Sequence, residues 1–522
     1  MAGGRSTVND GFRNTLEFYF TTHFGAAWRL IQRSDPLWRR VNRALINRAI
    51  LKMPPRPSPL STMAPYTSWD SLTDRTFDSR HLPPAQDSGE GMPSVEHVGE
   101  LFMRRGETAL CPKSTVLFPY FAQWFTDGFL RSSRAEPRDP RKNESNHEID
   151  LTPLYGLNPQ VTRLLRAFEG GLLKSQIING EEFPPYLCEQ GVIKPEFRGL
   201  EVVRFNQLSV EQKNGLFAMG GDTANFQVGF AMMNVLFFRE HNRIARLLAH
   251  EYPGWDDERL FATARNILTV VLIKIVIEDY INHIVPYHFR FLADPTPFRN
   301  EPWYRQNWMA IEFNLLYRWH MLIPSTLRID GHDLTIKETL FNNEILTHRG
   351  LGPLFEDASN QRAGRIGLFN TDPILWEVEM QTIRRGREVQ LAPYNDYRAY
   401  CHFPRVTDFD QISGDPEVIS ALREVYGSVD RIEFYVGLFA EDTRPNSVLP
   451  SLMGRMVGID AFSQALTNPL LAPRVFNEKT FSPLGMELIR TTRSLSDLLH
   501  RNLPDASQRY FVSLTRRGWK RA

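Results

Sequence analysis

Apolar positions recur at three- and four-residue spacing through most of this chain. Such patterns cover residues 98–105, 114–131, 158–172, 210–219, 225–250, 256–285, 304–322, 336–347, 371–386, 415–425 and 485–500. That period belongs to helices with one buried face. Strand-like runs are few and short. Ser175-Gln176-Ile177-Ile178 is the clearest, and Asn179-Gly180 after it is a hairpin-turn dipeptide. No internal repeat is visible. The pattern predicts a mainly α protein built around one large helical domain.

Residues 11–52 stand apart. Phe12, Phe20, Phe24, Trp28, Trp38 and several aliphatic residues are interleaved with Arg13, Arg29, Arg33, Arg39, Arg40, Arg43, Arg48 and Lys52. Only Glu17 and Asp35 oppose them, and Asp35-Pro36 breaks the run into short helices. Helices of this kind lie in a membrane interface or pack on their own domain, and the charge bias favours the membrane surface. A Pro-rich connector from Pro54 to Pro59 follows. The organisation expected is amphipathic, basic, membrane-binding helices over residues 1–55 and a helical domain over 56–522. No stretch reaches the ~18 apolar residues that span a bilayer. Residues 1–6 lack the apolar core and cleavage site of a secretory signal, so an intracellular, peripherally bound chain is expected.

Composition changes this picture little. The net charge is +1, with 42% hydrophobic and 23% charged residues, so no charge excess points to nucleic acid. Cys111, Cys188 and Cys401 are odd in number, far apart and without metal-site spacing, which predicts free thiols.

Candidate chemistry concentrates in one run, from Trp308 to His320. It reads as helix ended by Pro324, with Tyr317 and His320 three apart. On a helix such residues share a face, their Cβ atoms ~5–6 Å apart. An imidazole can ligate haem iron, and that haem can then oxidise a neighbouring phenol. Periodicity alone favours the plainer reading, a core histidine beside a packed tyrosine.

Resemblance reverses that preference. Phe313-Asn314-x-Leu316-Tyr317-x-Trp319-His320-x-Leu322-x-Pro324 resembles the proximal-helix pattern of cyclooxygenases (prostaglandin endoperoxide synthases) and related fatty-acid dioxygenases of the animal haem peroxidase superfamily. Other segments agree in order. Phe121-Ala122-Gln123-Trp124-Phe125-Thr126 resembles the distal helix, followed by Asp150-Leu151 with Leu154-Tyr155-Gly156. Arg239-Glu240-His241-Asn242-Arg243 and the segment from Lys274 to Tyr280 come next. Gln361-Arg362-Ala363-Gly364-Arg365, Arg444-Pro445-Asn446-Ser447 and Phe462-Ser463 complete the series. The resemblance runs from Arg13 to Gly485.

The resemblance implies a cyclooxygenase-like helical domain holding haem b (iron protoporphyrin IX). It makes His320 the iron ligand and Tyr317 the radical-bearing residue. Glu240 and Asn314 are candidate partners of the His320 ring. On the distal side Gln123 is retained, but Asp127 stands where the family has its distal histidine. His147 corresponds to a histidine near the haem edge that contacts a propionate. Arg48 and Tyr287 correspond to the pair that holds a substrate carboxylate, and Tyr280 to the residue that hydrogen-bonds the radical tyrosine. Ile281, Phe313, Leu316, Trp319 and Ser463 correspond to channel walls. The implied activity is haem-dependent oxygenation of an unsaturated fatty acid by molecular oxygen, primed by peroxide, giving a hydroperoxide (oxylipin formation). A prostaglandin-forming cyclooxygenase, a general haem peroxidase and a haem-binding membrane protein without turnover are the alternatives. Family members are often homodimers, although no seam is readable here.

Overall fold

The computed structural model describes residues 10–51, 53–58, 64, 66–85, 91–134 and 136–521. Residues 1–6, Lys52 and the end of the connector at Pro59 lie outside the described residues.

Three short helices open the chain: α1 (Gly11–His23), α2 (Gly25–Arg33) and α3 (Asp35–Ala49), the last with Pro36 in its first turn. Pro fits there because first-turn N–H groups have no helical acceptor. Polar anchors tie these helices to the body. Asn42 exchanges two hydrogen bonds with the Leu292 backbone, and Trp38 Nε1 donates to the Arg290 carbonyl. Arg444, in one of the family-like motifs, pairs with Asp10 and lies over the Phe18 ring.

The body is helical. Its longest helix, Val228–Glu251, packs against Leu117–Asp127 and Asp257–Ile275. A Cβ on Gly229 would come within 2.2 Å of the Tyr120 ring, so only glycine allows that approach. The Arg-Glu-His-Asn segment acts as a brace. Buried Glu240 accepts from Arg243, Arg501 and Asn502. Removing one partner from a buried ion set costs about 3–5 kcal/mol. His241 is held between the Tyr155 hydroxyl and the Gly171 carbonyl.

Asp257–Ile275 continues through a π-helical turn, Val276–Ile281, into Asn282–Ile284. Single π turns often mark functional positions, and this one carries Tyr280 and Ile281. The whole stretch is long and apolar enough to cross a membrane, which corrects the expectation that none was. Its apolarity serves the core, for 83% of its 18-residue apolar window is buried, and it packs between Val228–Glu251 and Glu478–Thr491. Lys274 Nζ caps the latter helix by donating to the Ile489 and Arg490 carbonyls.

Strand is confined to four two-stranded antiparallel pairs among the described residues. The hairpin at Asn179-Gly180 forms as the dipeptide predicts, with both residues in the left-handed region. Leu110–Thr115 pairs with Arg362–Gly364 behind the His320 segment. There a Cβ on Gly364 would meet the Met321 carbonyl at 2.0 Å.

The structure shortens the helix expected over 304–322 to Ile311–Leu316. Upstream, Ser79 draws the chain into extended pairing, donating to the Met309 carbonyl and accepting from Ile311 N–H. Downstream, the chain leaves the helix at Tyr317 and re-forms one 3₁₀ turn at His320–Leu322. Tyr317 and His320 are therefore not stacked one helical turn apart. The helix Ser451–Leu466 shows no readable period because it is buried on nearly every side.

Candidate functional site

His320 opens the 3₁₀ turn with its ring partly exposed. Its Nδ1 lies 3.1 Å from Glu379 Oε1, while Nε2 has no hydrogen bond to a described residue. A carboxylate is an acceptor, so Nδ1 is the donor of this pair and Nε2 is the nitrogen left for a metal. That is the arrangement a metal ligand needs. The partner corrects the sequence reading. Glu240 is committed to the brace, and Asn314 Oδ1 accepts from Arg318. Glu379 signals itself only as a carboxylate in the apolar stripe of Trp376–Glu388, beside Met380 and Ile383.

Tyr317 lies in a cage of rings. Trp319 stacks on it at 4.5 Å between centroids, and Phe313 meets it edge-on at 4.9 Å. Trp319 Nε1 and Asn314 Nδ2 are buried without a hydrogen-bond partner, and the buried hydroxyls of Tyr317 and Tyr280 have none but each other. Such poorly satisfied groups are rare and costly, so a cluster of them around one short segment marks a functional place. Burial pushes both phenols well above their usual ionisation range, and the two hydroxyls interact with each other, which is the contact the resemblance implies for Tyr280. Both are neutral phenols at physiological pH.

Opposite stands the helix Leu117–Asp127. Nine of its residues are buried, and the two that are not are Gln123 and Asp127. They share one stripe at i, i+4. Asp127 is tied down: Arg131 pairs with it at 2.9 Å and the Thr223 hydroxyl donates to it at 2.7 Å. Its side chain keeps 23% of its surface exposed. Burial raises its pKa, against the opposing pull of Arg131 and Thr223. A polar cleft of about 350 Å³ runs from Asp127 past Leu315 and Arg318 to Thr382 and Arg385. Five arginines line it: Arg131, Arg134, Arg138, Arg318 and Arg385. Arg318 has no carboxylate within ion-pair distance among the described residues, its guanidinium bonding only Asn314.

A second cavity, of about 110 Å³ and mainly apolar, opens beside α1 and α3. Leu45, Ile281, Tyr287 and Phe462 are among its walls. Tyr287 lines it with two residues that sequence reading missed, Glu17 and Arg455, while Arg48 lies just off the lining and is tied to both. Glu17 pairs with Arg48 at 2.8 Å, and Arg455 reaches Glu17 at 3.8 Å and the Arg48 carbonyl at 3.3 Å. Tyr287 lies in the field of all three charges.

Four expected wall residues lie elsewhere. Phe313, Leu316 and Trp319 belong to the ring cage and core, outside the cavity lining. Ser463 is buried between the Asn307 amide and the Asp460 carbonyl, also off the lining. The expectation for His147 is corrected more firmly. It is fully buried, with Nε2 on the Arg75 carbonyl and Nδ1 accepting from Met309 N–H. Burial pushes its pKa down to about 4. It is a satisfied core histidine, stacked on Trp308, with no nitrogen left for a propionate.

Residues 128–512 match the family model described as animal haem peroxidase. The chain belongs to that family. It is 31% identical over 510 residues to prostaglandin G/H synthase 2 of Equus caballus, covering 94% of this chain and 81% of that protein. With prostaglandin G/H synthase 1 of Mus musculus the identity is 32% over 490 residues, covering 90% and 79%. In fold it is similar to the fatty acid alpha-dioxygenase of Oryza sativa, with TM-score 0.69, 17% identity, and 95% of this chain and 94% of that chain covered. Peroxidase A of Dictyostelium discoideum aligns with TM-score 0.66 and 18% identity over 88% and 100%.

Animal haem peroxidases are haem-binding oxidoreductases, and this chain is one. Its residues suit the cofactor. His320 offers an Nε2 with no hydrogen bond to a described residue, its other nitrogen anchored on Glu379. The arginine-lined cleft, which does not itself include His320, suits a group bearing two carboxylates.

Proposed function

We propose that this chain is a haem-dependent dioxygenase that converts an unsaturated fatty acid to a hydroperoxide through a radical on Tyr317. The observation that carries this reading is the buried Tyr317 hydroxyl, set against the Tyr280 hydroxyl and three residues before a histidine whose Nδ1 is anchored on Glu379. His320 Nε2 would ligate the iron, and Arg318 and Arg385 would face the propionates. Bound haem, once oxidised by peroxide, supplies a one-electron oxidant. Tyr317, a neutral phenol, gives up an electron and its proton together. The resulting tyrosyl radical takes a hydrogen atom from a bis-allylic carbon, re-forming the phenol. Molecular oxygen adds to the carbon radical. The peroxyl radical then takes hydrogen from Tyr317, releasing the hydroperoxide and restoring the tyrosyl radical. The ring cage excludes water from these steps.

Asp127 separates this reading from a general peroxidase. Paired with Arg131, it is a poor proton shuttle for peroxide cleavage. Guaiacol turnover should therefore be slow in the wild type and rise in Asp127→His, with hydroperoxide the main lipid product before the change. Fast wild-type guaiacol turnover with mostly alcohol products would contradict this.

The mouth fits a carboxylate. Arg48 and Arg455 share one acidic partner, Glu17, which a substrate carboxylate can displace. A charge-assisted contact is worth ~1.5–3 kcal/mol, so Arg48→Gln should raise the fatty-acid KM roughly ten- to a hundredfold. A methyl ester should be little affected, and Glu17→Gln should lower KM for the acid. Equal effects of Arg48→Gln on acid and ester would rule this anchor out.

The N-terminal helices support attachment to one membrane leaflet. Phe12 and Leu30 are 82% and 66% exposed, and Leu16, Tyr19, Phe20, Phe24 and Leu37 join them. Arg13, Arg29, Arg33 and Arg40 are exposed nearby. Binding to anionic vesicles should weaken with salt and be lost in Phe12→Glu/Leu30→Glu. Undiminished binding by that double variant would exclude this surface.

A further inference from the structure

We infer that Glu379 is a positioning residue that sets how strongly His320 donates to the haem iron, and so sets the redox poise of the cofactor. This rests on the reading of His320 as the iron ligand. Glu379 is fully buried on the helix Trp376–Glu388. Three donors converge on it. His320 Nδ1 lies 3.1 Å and the Thr371 hydroxyl 2.8 Å from Oε1, and the Tyr435 hydroxyl lies 2.6 Å from Oε2. Stacking on Phe102 fixes the Tyr435 ring.

No Arg or Lys lies within ion-pair distance of Glu379 among the described residues. Arg318 acts on it only at longer range. A buried carboxylate is costly unless it is paired and hydrogen-bonded. Here a ring N–H and two hydroxyls do that work, so the imidazole takes a large share of the charge. A carboxylate on Nδ1–H draws the proton away from the ring and makes Nε2 the stronger donor. Stronger donation favours ferric over ferrous iron and lowers the midpoint potential. Tyr435 and Thr371 oppose this by drawing charge from the same carboxylate. The four residues form a graded device in which each hydroxyl tempers the push that Glu379 gives the histidine.

Full-length, haem-loaded protein tests this by two readouts that do not depend on turnover: the ferric/ferrous midpoint potential and the iron–histidine stretching band of the ferrous form. Glu379→Gln should raise the potential and move the band to lower frequency, while Glu379→Asp moves both back toward wild type. Tyr435→Phe removes a competing donor and should shift both the other way, which keeps the test decisive if Glu379→Gln loses haem. Potentials and bands unchanged in the haem-loaded variants would overturn the inference. His320→Ala separates this from failure of the underlying reading. Should that variant keep the wild-type spectrum, His320 is not the ligand and the functional reading fails. Should it lose the spectrum while Glu379→Gln and Tyr435→Phe change nothing, only the role of Glu379 fails.

Discussion

Tyr317→Phe is expected to bind haem at full stoichiometry and to oxygenate fatty acids only at background rate. The variant keeps the ring that stacks on Trp319 and meets Phe313, so the cage survives. It removes a buried hydroxyl whose neighbour is the Tyr280 hydroxyl, so stability should change by about 1 kcal/mol. It also removes the only group on that ring that can yield a hydrogen atom. Oxygen uptake with linoleate should fall at least ~10³-fold, equivalent to about 4 kcal/mol of barrier. Tyr280→Phe is the control: it removes the neighbouring hydroxyl and leaves the oxidisable one, so it should lower the rate without abolishing it. A well-folded Tyr317→Phe that still consumes oxygen would remove the radical mechanism.

His320→Ala should lose stoichiometric haem binding or show a strongly shifted Soret band. Its second effect is local. Glu379 keeps Thr371 and Tyr435 but loses the ring N–H, and a hydrogen bond to a charged group is worth about 1.5–3 kcal/mol. Thermal unfolding should therefore drop modestly, and added imidazole, which replaces both the ligand and the Nδ1 donor, should restore the spectrum and part of the stability. A wild-type Soret band without imidazole would show that another residue holds the iron.

The parts legible in the sequence were those with a local signal. Helical period located Val228–Glu251 and the apolar stretch from Asp257, and Asn179-Gly180 located the hairpin. The pair Gln123 and Asp127 was readable because i, i+4 spacing on a continuous helix survives folding unchanged. Tyr317 and His320 were readable as residues but not as geometry. The helix they were expected to share starts only after the Ser79 pairing and stops at Leu316, where Tyr317 turns out to stack on Trp319, and sequence spacing reports neither. Partners brought from far along the chain were invisible. Glu379 meets His320 from 59 residues away, and Arg455 meets Glu17 from the other end of the chain. His147 shows the reverse error, where a motif match suggested a haem contact that two backbone hydrogen bonds exclude.

Product analysis from oxygen uptake tests the central claim most directly. Haem-loaded protein is given linoleate under ¹⁸O-labelled oxygen with a trace of peroxide, and products are identified by mass spectrometry. The account predicts a single linoleate hydroperoxide with both peroxide oxygens labelled, formed by wild type and absent with Tyr317→Phe. Absence of labelled lipid from wild type while small donors are oxidised rapidly would contradict it and make the chain a general peroxidase.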